Sequence, residues 1–398
     1  MSPMKPDHHS FAVQKRTQSY SETACWQLDS AAAGPSGQRY SPADQRSLDE
    51  AAAILAGGGT VAFPTETVYG LGADARNTAA VEAVFAAKGR PSDNPLIVHI
   101  AALEQLEEFT AGVSETAGRL MKAFWPGPLS IVLPVRPGVL SPRVTAGLDT
   151  VAVRMPDHPA ALALLERAGC PVAAPSANRS GRPSPTTAAH VLEDLAGYIG
   201  GVLDNGPTGV GVESTVVQVQ PDGTVAVLRP GGITAEQLSA VTGTAVAPPP
   251  PEAGGAGPAG GGTDAGGRSP APRSPGMKYT HYAPQGSLAI VSGTPPQRVA
   301  DTAAALLQEA RGRGEQTGLL LFEEHRSFYP DGAADYIVSL GSLEALEEAA
   351  RTLYGALRYF DEVKADYIIT EACPEAGLGS AIMNRLRKAA GGTVISTD

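Results

Sequence analysis

Between Ala245 and Pro275 the chain is almost wholly Pro, Gly, Ala and Ser, and this stretch constrains everything else. Such a composition carries too little apolar surface to offset the entropy of ordering its backbone. No hydrophobic core can run through it. The full length of 398 residues also exceeds what a single core usually serves. We therefore expect two folded units, over 47–243 and 276–398, joined by a linker at 244–275. Residues 1–46 mix Ser, Gln, Pro and Gly with little apolar periodicity and read as a flexible N-terminal extension.

Within the first unit, Leu48, Ala51, Ala52 and Leu55 share a helical face. Gly57-Gly58-Gly59 ends that helix before a strand-like run at 60–63. Further strand-like runs at 96–100, 129–135, 151–153, 172–174, 215–219 and 224–228 are interleaved with helical segments, an α/β pattern. In the second unit, runs at 287–291, 318–322 and 365–370 alternate with helical stretches at 299–311 and 343–361. Such alternation predicts βαβ units on a small parallel sheet.

Composition narrows the function. Cys25, Cys170 and Cys373 show no metal or redox spacing, which argues against zinc, disulfide and thiol chemistry. A formal charge of −11 disfavours a protein that coats nucleic acid, although a local basic cleft remains compatible with it. No apolar run is long enough to cross a bilayer and the N-terminus lacks the pattern of a secretory signal, so a cytoplasmic location without membrane contact is expected.

Four segments at predicted strand ends could carry chemistry. The first, Phe63 to Gly72 (FPTETVYGLG), interleaves hydroxyls with glycine and reads either as a capped turn or as a backbone approach to a polar substrate. In the second, Lys88-Gly89-Arg90-Pro91-Ser92-Asp93-Asn94-Pro95, two cations one residue apart could face one polyanion or simply complement a helix C-terminus. Prolines 91 and 95 fix the loop's dihedrals, which a merely solvated tail would not need. The third, Ala173 to Gly181 (AAPSANRSG), offers small hydroxyl and amide groups suited to phosphate, ribose or amino-acid contacts. The fourth is Gly209 to Thr215 (GVGVEST), followed by Leu228-Arg229-Pro230-Gly231. Two single residues join them. His99 reads either as a satisfied core histidine or as a contact to a substrate hydroxyl or carboxylate, and Arg154 either as a carboxylate holder or as a surface ion pair.

The chain lacks a P-loop, because Gly57-Gly58-Gly59-Thr60 has no lysine, and it lacks both a kinase signature set and a Gly-x-Ser-x-Gly elbow. Covalent catalysis is not indicated. A positioning enzyme for anionic substrates fits best.

Taken in order, Pro64 to Gly70, Lys88 to Pro91, Pro175 to Asn178 and Glu213 to Thr215 resemble the YrdC-like family of threonylcarbamoyl-AMP synthases. The stretch Ser274 to Pro284 (SPGMKYTHYAP) is similar to the hallmark of that family's long, two-domain form. The resemblance implies a twisted mixed-sheet domain with an open concave cleft, a smaller Rossmann-like domain with a parallel sheet, and a linker lying across the cleft. It implies synthesis of threonylcarbamoyl-AMP and pyrophosphate from L-threonine, bicarbonate or CO2, and ATP. By the same resemblance Thr67, His99, Arg154, Ala174 and Ser214 surround threonine, Ala174 through its backbone. Arg90, Asn94, Thr150, Ser176, Ser184, Arg229 and Tyr282 surround ATP. Lys88 and Arg90 are the implied catalytic cations, and magnesium is implied on the triphosphate with no protein side chain as its ligand. A downstream threonylcarbamoyl-transferase acting on tRNA is the implied partner, with a weak tRNA contact left open.

Two rival readings share the fold. An RNA-binding module would need a basic concave face, against which the net charge counts. A carbamoyl-adenylate enzyme would take carbamoyl phosphate, but hydrogenase-maturation proteins of that kind carry zinc-finger cysteines that this chain lacks.

Overall fold

A computed structural model describes residues 22–29, 40–248 and 282–397. Its first sheet begins with β1 (Ala24–Gln27), β2 (Val61–Phe63), β3 (Gly70–Asp74), β4 (Ile97–His99), β5 (Leu129–Pro134) and β6 (Thr150–Arg154). It continues with β7 (Val172–Ala173), β8 (Gly201–Asp204), β9 (Thr215–Val219), β10 (Val225–Arg229) and β11 (Val246–Ala247). The order across it is β1-β8-β2-β3-β7-β4-β6-β5-β9-β10-β11. Pairing is mixed: β4 and β6 run parallel with His99 beside Arg154, whereas β9 and β10 run antiparallel. The second sheet holds β12 (Ser287–Ser292), β13 (Thr317–Leu321), β14 (Tyr336–Ser339), β15 (Tyr367–Glu371) and β16 (Val394–Ser396), all parallel, in the order β14-β13-β15-β12-β16. The chain thus adopts the expected α/β class, one large mixed sheet and one smaller parallel sheet. Among the described residues no helix is long and apolar enough to cross a membrane.

Within 1–46, the described residues 22–29 and 40–46 differ from the extension expected there. Strand β1 pairs with β8, and Trp26 lies so close over Gly201 that a Cβ at 201 would sit 2.2 Å from its ring. Four residues are too few to show a period, so the strand was invisible locally. The helix Pro42–Ala56 also begins inside that stretch, started by Ser41 capping Asp44 N and by Asp44 accepting from Ser41 N. At the other end, β11 uses residues assigned to the linker and pairs with β10. The remainder of the expected linker, from 249 on, lies outside the described residues.

The two sheets share packing. Val68 and Val212 of the first unit join the apolar cluster formed by Leu353, Tyr354 and Leu357 of the helix Leu346–Glu362 and by Ile382 and Leu386 of the helix Gly379–Ala389. Gly211 is the tightest point of this junction. It has φ +83°, and a Cβ there would lie 2.3 Å from Arg351 Cα and 2.4 Å from the Ala350 carbonyl oxygen. Backbone on both sides leaves no flexible atom to yield. We expect Gly211→Ala to cost about 1–3 kcal/mol, read as a lower unfolding midpoint in calorimetry; an unchanged midpoint would show that the junction is looser than this packing implies.

Candidate active site

A cleft opens at the strand ends of the first sheet. Its wall comes from the segment between β2 and β3, the loop after the helix Thr78–Lys88, β4, the end of β6, the loop after β7, the residues leading into β9, and the end of β10. Lys88, Arg90, Arg154 and Arg229 bring positive charge to this wall, and Glu213 is the carboxylate on it.

In the first segment the turn reading holds at Thr65. The Thr65 hydroxyl accepts from the amides of Thr67 and Val68 and donates to the Val68 carbonyl, which makes it a turn residue. Thr67 instead presents its Oγ1 to Arg154 Nη1 at 2.9 Å. Arg154 is 4% exposed and its Nη2 lies 2.5 Å from Glu66 Oε2, an ion-pair distance without hydrogen-bond alignment. It is no surface cation.

Lys88, expected with Arg90 as a catalytic cation, lines the cleft and also has partners within the protein. Its ammonium is buried and donates to the carbonyls of Ser176 and Asn178 and to Asn178 Oδ1, locking the end of its helix to the loop after β7. Burial, and then the neighbouring Arg90, pull its pKa well below the usual lysine value. Arg90, by contrast, is half-exposed on the cleft wall and donates from Nη2 to the Pro95 carbonyl.

Thr67, His99, Arg154, Ala174 and Ser214, expected around threonine, all line the cleft, as do Arg90, Ser176, Arg229 and Tyr282 of the residues expected around ATP. Three others do not. Thr150 opens β6 while Arg154 closes it, so the two lie about 13 Å apart along the strand. Ser184 lies fully buried behind the wall, donating to Glu213 Oε1 at 2.6 Å. Asn94 is also fully buried and both polar atoms of its side chain lack hydrogen-bond partners, a local deficit that an arriving polar ligand could relieve.

Residues outside the expected set matter as much. Glu213 belonged to a segment that was singled out, but its partners could not be read from sequence. The Tyr354 hydroxyl donates to it at 2.9 Å and Arg385 Nε at 2.9 Å, both from the second domain. Burial alone would raise the Glu213 carboxyl, but Arg385 and Arg229, helped by the Ser184 hydroxyl, hold its pKa at about 2. Arg385 carried no local signal, because it lies in the same helical turn as Arg387 and Lys388, as a solvated helix end would.

His99 is held neutral: burial first, and repulsion from Arg154 second, lower its pKa to about 3. An unfolded histidine titrates near about 6.5. Below that pH the unfolded chain takes up a proton that the folded chain refuses, so stability present above about 6.5 is progressively lost toward pH 3, by about 2 kcal/mol at pH 5. His190, lowered to about 4 by burial and by Arg358, contributes with the same sign. Calorimetry at pH 7 and pH 5 should show a smaller drop in midpoint for His99→Gln than for the unaltered protein; equal drops would remove His99 as a source of acid sensitivity.

Two family models match in succession: Sua5/YciO/YrdC, described as telomere recombination, over residues 53–231, and the threonylcarbamoyl-AMP synthase C-terminal domain over 233–391. The chain is 54% identical over 350 residues to a threonylcarbamoyl-AMP synthase of Bacillus subtilis, covering 87% of this chain and 94% of that one. It is 44% identical to one of Pyrococcus abyssi over 87% of this chain and 94% of the relative. The solved structure of P. abyssi Sua5 complexed with L-threonine superposes with a TM-score of 0.81 at 41% identity, covering 94% of this chain and 100% of that one. With both family models in series, relatives aligned over most of their length and the cleft built from the matching segments, the chain belongs to the Sua5/YrdC family of threonylcarbamoyl-AMP synthases, in its two-domain form.

Proposed function

We infer that this chain condenses L-threonine, bicarbonate or CO2, and ATP into threonylcarbamoyl-AMP with release of pyrophosphate. The observation that carries this is one cleft in which a buried Arg154–Thr67 pair and a separate pair of cations, Arg90 and Arg229, face the same space. The first pair suits the carboxylate and hydroxyl of an amino acid, and a P. abyssi relative has been solved with L-threonine bound. The second pair suits the phosphates of a nucleotide.

The chemistry needs positioning more than covalent help. Threonine's amine loses a proton and captures carbon dioxide, and an oxygen of the carbamate then attacks the α-phosphorus as pyrophosphate leaves. Holding three reactants in one cleft removes an entropic barrier of several kcal/mol, about 7 or more in well-oriented cases. Arg90 meets charge on the phosphoryl oxygens. Lys88 acts one step back, by fixing the Ser176–Asn178 loop against the nucleotide side. Neutral His99 can hydrogen-bond a substrate without repelling the carboxylate's partner Arg154. Asn94 gains a partner if the nucleotide settles beside Arg90.

Magnesium fits this wall only as a companion of the triphosphate. The carboxylate on the wall, Glu213, is already held by Arg385, Tyr354 and Ser184, and among the described residues no group of three or more His, Cys, Asp and Glu is arranged to hold a metal. Bound on ATP, the ion would offset charge on the leaving pyrophosphate. We place the product upstream of a separate transferase that moves the threonylcarbamoyl group to tRNA in the cytoplasm, any direct tRNA contact being weak at a net charge of −11.

The test is pyrophosphate release by purified protein with ATP, bicarbonate and magnesium, comparing L-threonine with L-serine, no amino acid and carbamoyl phosphate. We expect threonine-dependent release, reduced about a hundredfold in Arg90→Ala. Release without threonine dependence, or driven by carbamoyl phosphate, would overturn the assignment.

A further inference from the structure

The second domain does more than pack beside the first. Arg385, on the helix Gly379–Ala389, is fully buried and reaches across the junction with two arms. Its Nε donates to Glu213 Oε2 at 2.9 Å, and its Nη1 donates to the Pro230 carbonyl at 2.5 Å. Glu213 stands two residues before β9, and Pro230 directly follows β10. One guanidinium therefore ties together two neighbouring strand ends.

Those ends carry cleft residues. Ser214 follows Glu213, and Arg229 precedes Pro230. Arg229 Nη2 donates to the Ser214 carbonyl at 3.0 Å and to its Oγ at 3.2 Å, while Ser214 Oγ also lies 2.8 Å from Ser130 Oγ. The two ends are pressed together with no slack: a Cβ on Gly231 would lie 2.3 Å from the Glu213 carbonyl oxygen and 2.4 Å from Ser214 C. The Tyr354 hydroxyl, donating to both Glu213 oxygens, completes the grip. Tyr354 in turn packs 5.3 Å from the ring of Tyr282 on the cleft wall, and Arg385 lies 5.9 Å from that same ring.

We propose that Arg385 is a positioning residue for adenylate formation, acting through Glu213 and Pro230 to fix Ser214 and Arg229 in the cleft, with Tyr354 as its helper. The second domain is then part of the active-site scaffold. The proposal rests on the reading of the cleft as a threonylcarbamoyl-AMP synthase site.

The experiment uses the full chain as Arg385→Gln, Arg385→Lys and Tyr354→Phe, measuring threonine-dependent pyrophosphate release over a range of pH alongside thermal unfolding. In folded Arg385→Gln we expect kcat/KM for threonine to fall about tenfold or more, with a rise in KM for threonine or ATP. Arg385→Lys keeps the charge but loses the fork, and should recover part of the loss. The pH profile supplies a readout that loosened packing would not move. The groups facing Glu213 are Arg385, Arg229, Tyr354 and Tyr282. Without Arg385, burial pushes the Glu213 carboxyl upward, so the variant should lose kcat/KM as pH falls through a range where the unaltered protein is flat. Should Arg385→Gln fail to fold, Tyr354→Phe removes only the hydroxyl and is expected to shift the same KM values about twofold to tenfold. If the unaltered protein is threonine-dependent but the folded variants keep its KM values and its pH profile, the positioning role is overturned while the assigned activity stands. If the unaltered protein shows no threonine dependence, the assigned activity falls and the proposed role in that reaction falls with it.

Discussion

Glu213 places an ionised carboxylate, 6% exposed, at the seam of two domains, and the surrounding architecture answers the cost of that charge. Removing a carboxylate from water is unfavourable unless donors replace the solvent. Ser184 comes from the first domain, and Tyr354 and Arg385 from the second. An uncompensated partner on either side would be a buried charge in an apolar junction, so the seam is specific in register as well as sticky. Close by, Arg358 repeats the device, donating to Asp194 Oδ2 at 2.9 Å and to the Pro183 carbonyl at 2.7 Å. Two buried arginines from one small parallel-sheet domain thus grip the larger one at the loops around its cleft.

This arrangement links stability to chemistry. The Asp194 carboxylate that Arg358 holds also accepts from the Arg179 amide, next to Asn178, whose side chain and carbonyl receive Lys88. On the other flank, Arg385 reaches Glu213 and Pro230 beside Ser214 and Arg229. Both walls of the cleft are therefore braced from behind by the same domain. A cleft whose work is mainly positioning gains from such bracing, because misplacement of a reactant by about 1 Å can cost a hundredfold in rate. Tyr282, at φ +67°, holds a left-handed backbone that is costly for an aromatic residue and persists only where its surroundings dictate it. Its stacking against Tyr354 supplies such surroundings.

Much of this was legible locally. Runs of β-branched residues such as Thr215–Val219 gave strands because a short β-branched run closed by turn residues, here Pro221-Asp222-Gly223, favours extended backbone. The ligand-bearing segments were legible because small, hydroxylated and cationic residues gathered after such runs. Other parts were not legible for stated reasons. Gly70–Asp74 looked like an extension of a binding loop, since its glycines disfavour a strand, yet it pairs with β2 and β7 as an interior strand of the sheet. Gly72 is there because a Cβ would strike Val172 and Phe63, a fact available only once those chains are side by side. Lys88 read either as a cation facing a polyanion or as a helix end, and its partners, the carbonyls 88 and 90 residues away, could not be read from the sequence.

By itself, then, the sequence determined the two-unit division, the α/β class and the segments from which the cleft is assembled, because each depends on local composition and period. Tertiary structure alone decided which groups each of these cations meets. It sent Arg154 to the cleft, turned Lys88 onto backbone carbonyls, left Thr150 at the far end of its strand, and brought Arg385 across 172 residues to Glu213. The physical reason is that a charged side chain's role is set by the donors, acceptors and solvent around its tip, and those neighbours come from strands and helices that only the fold makes adjacent.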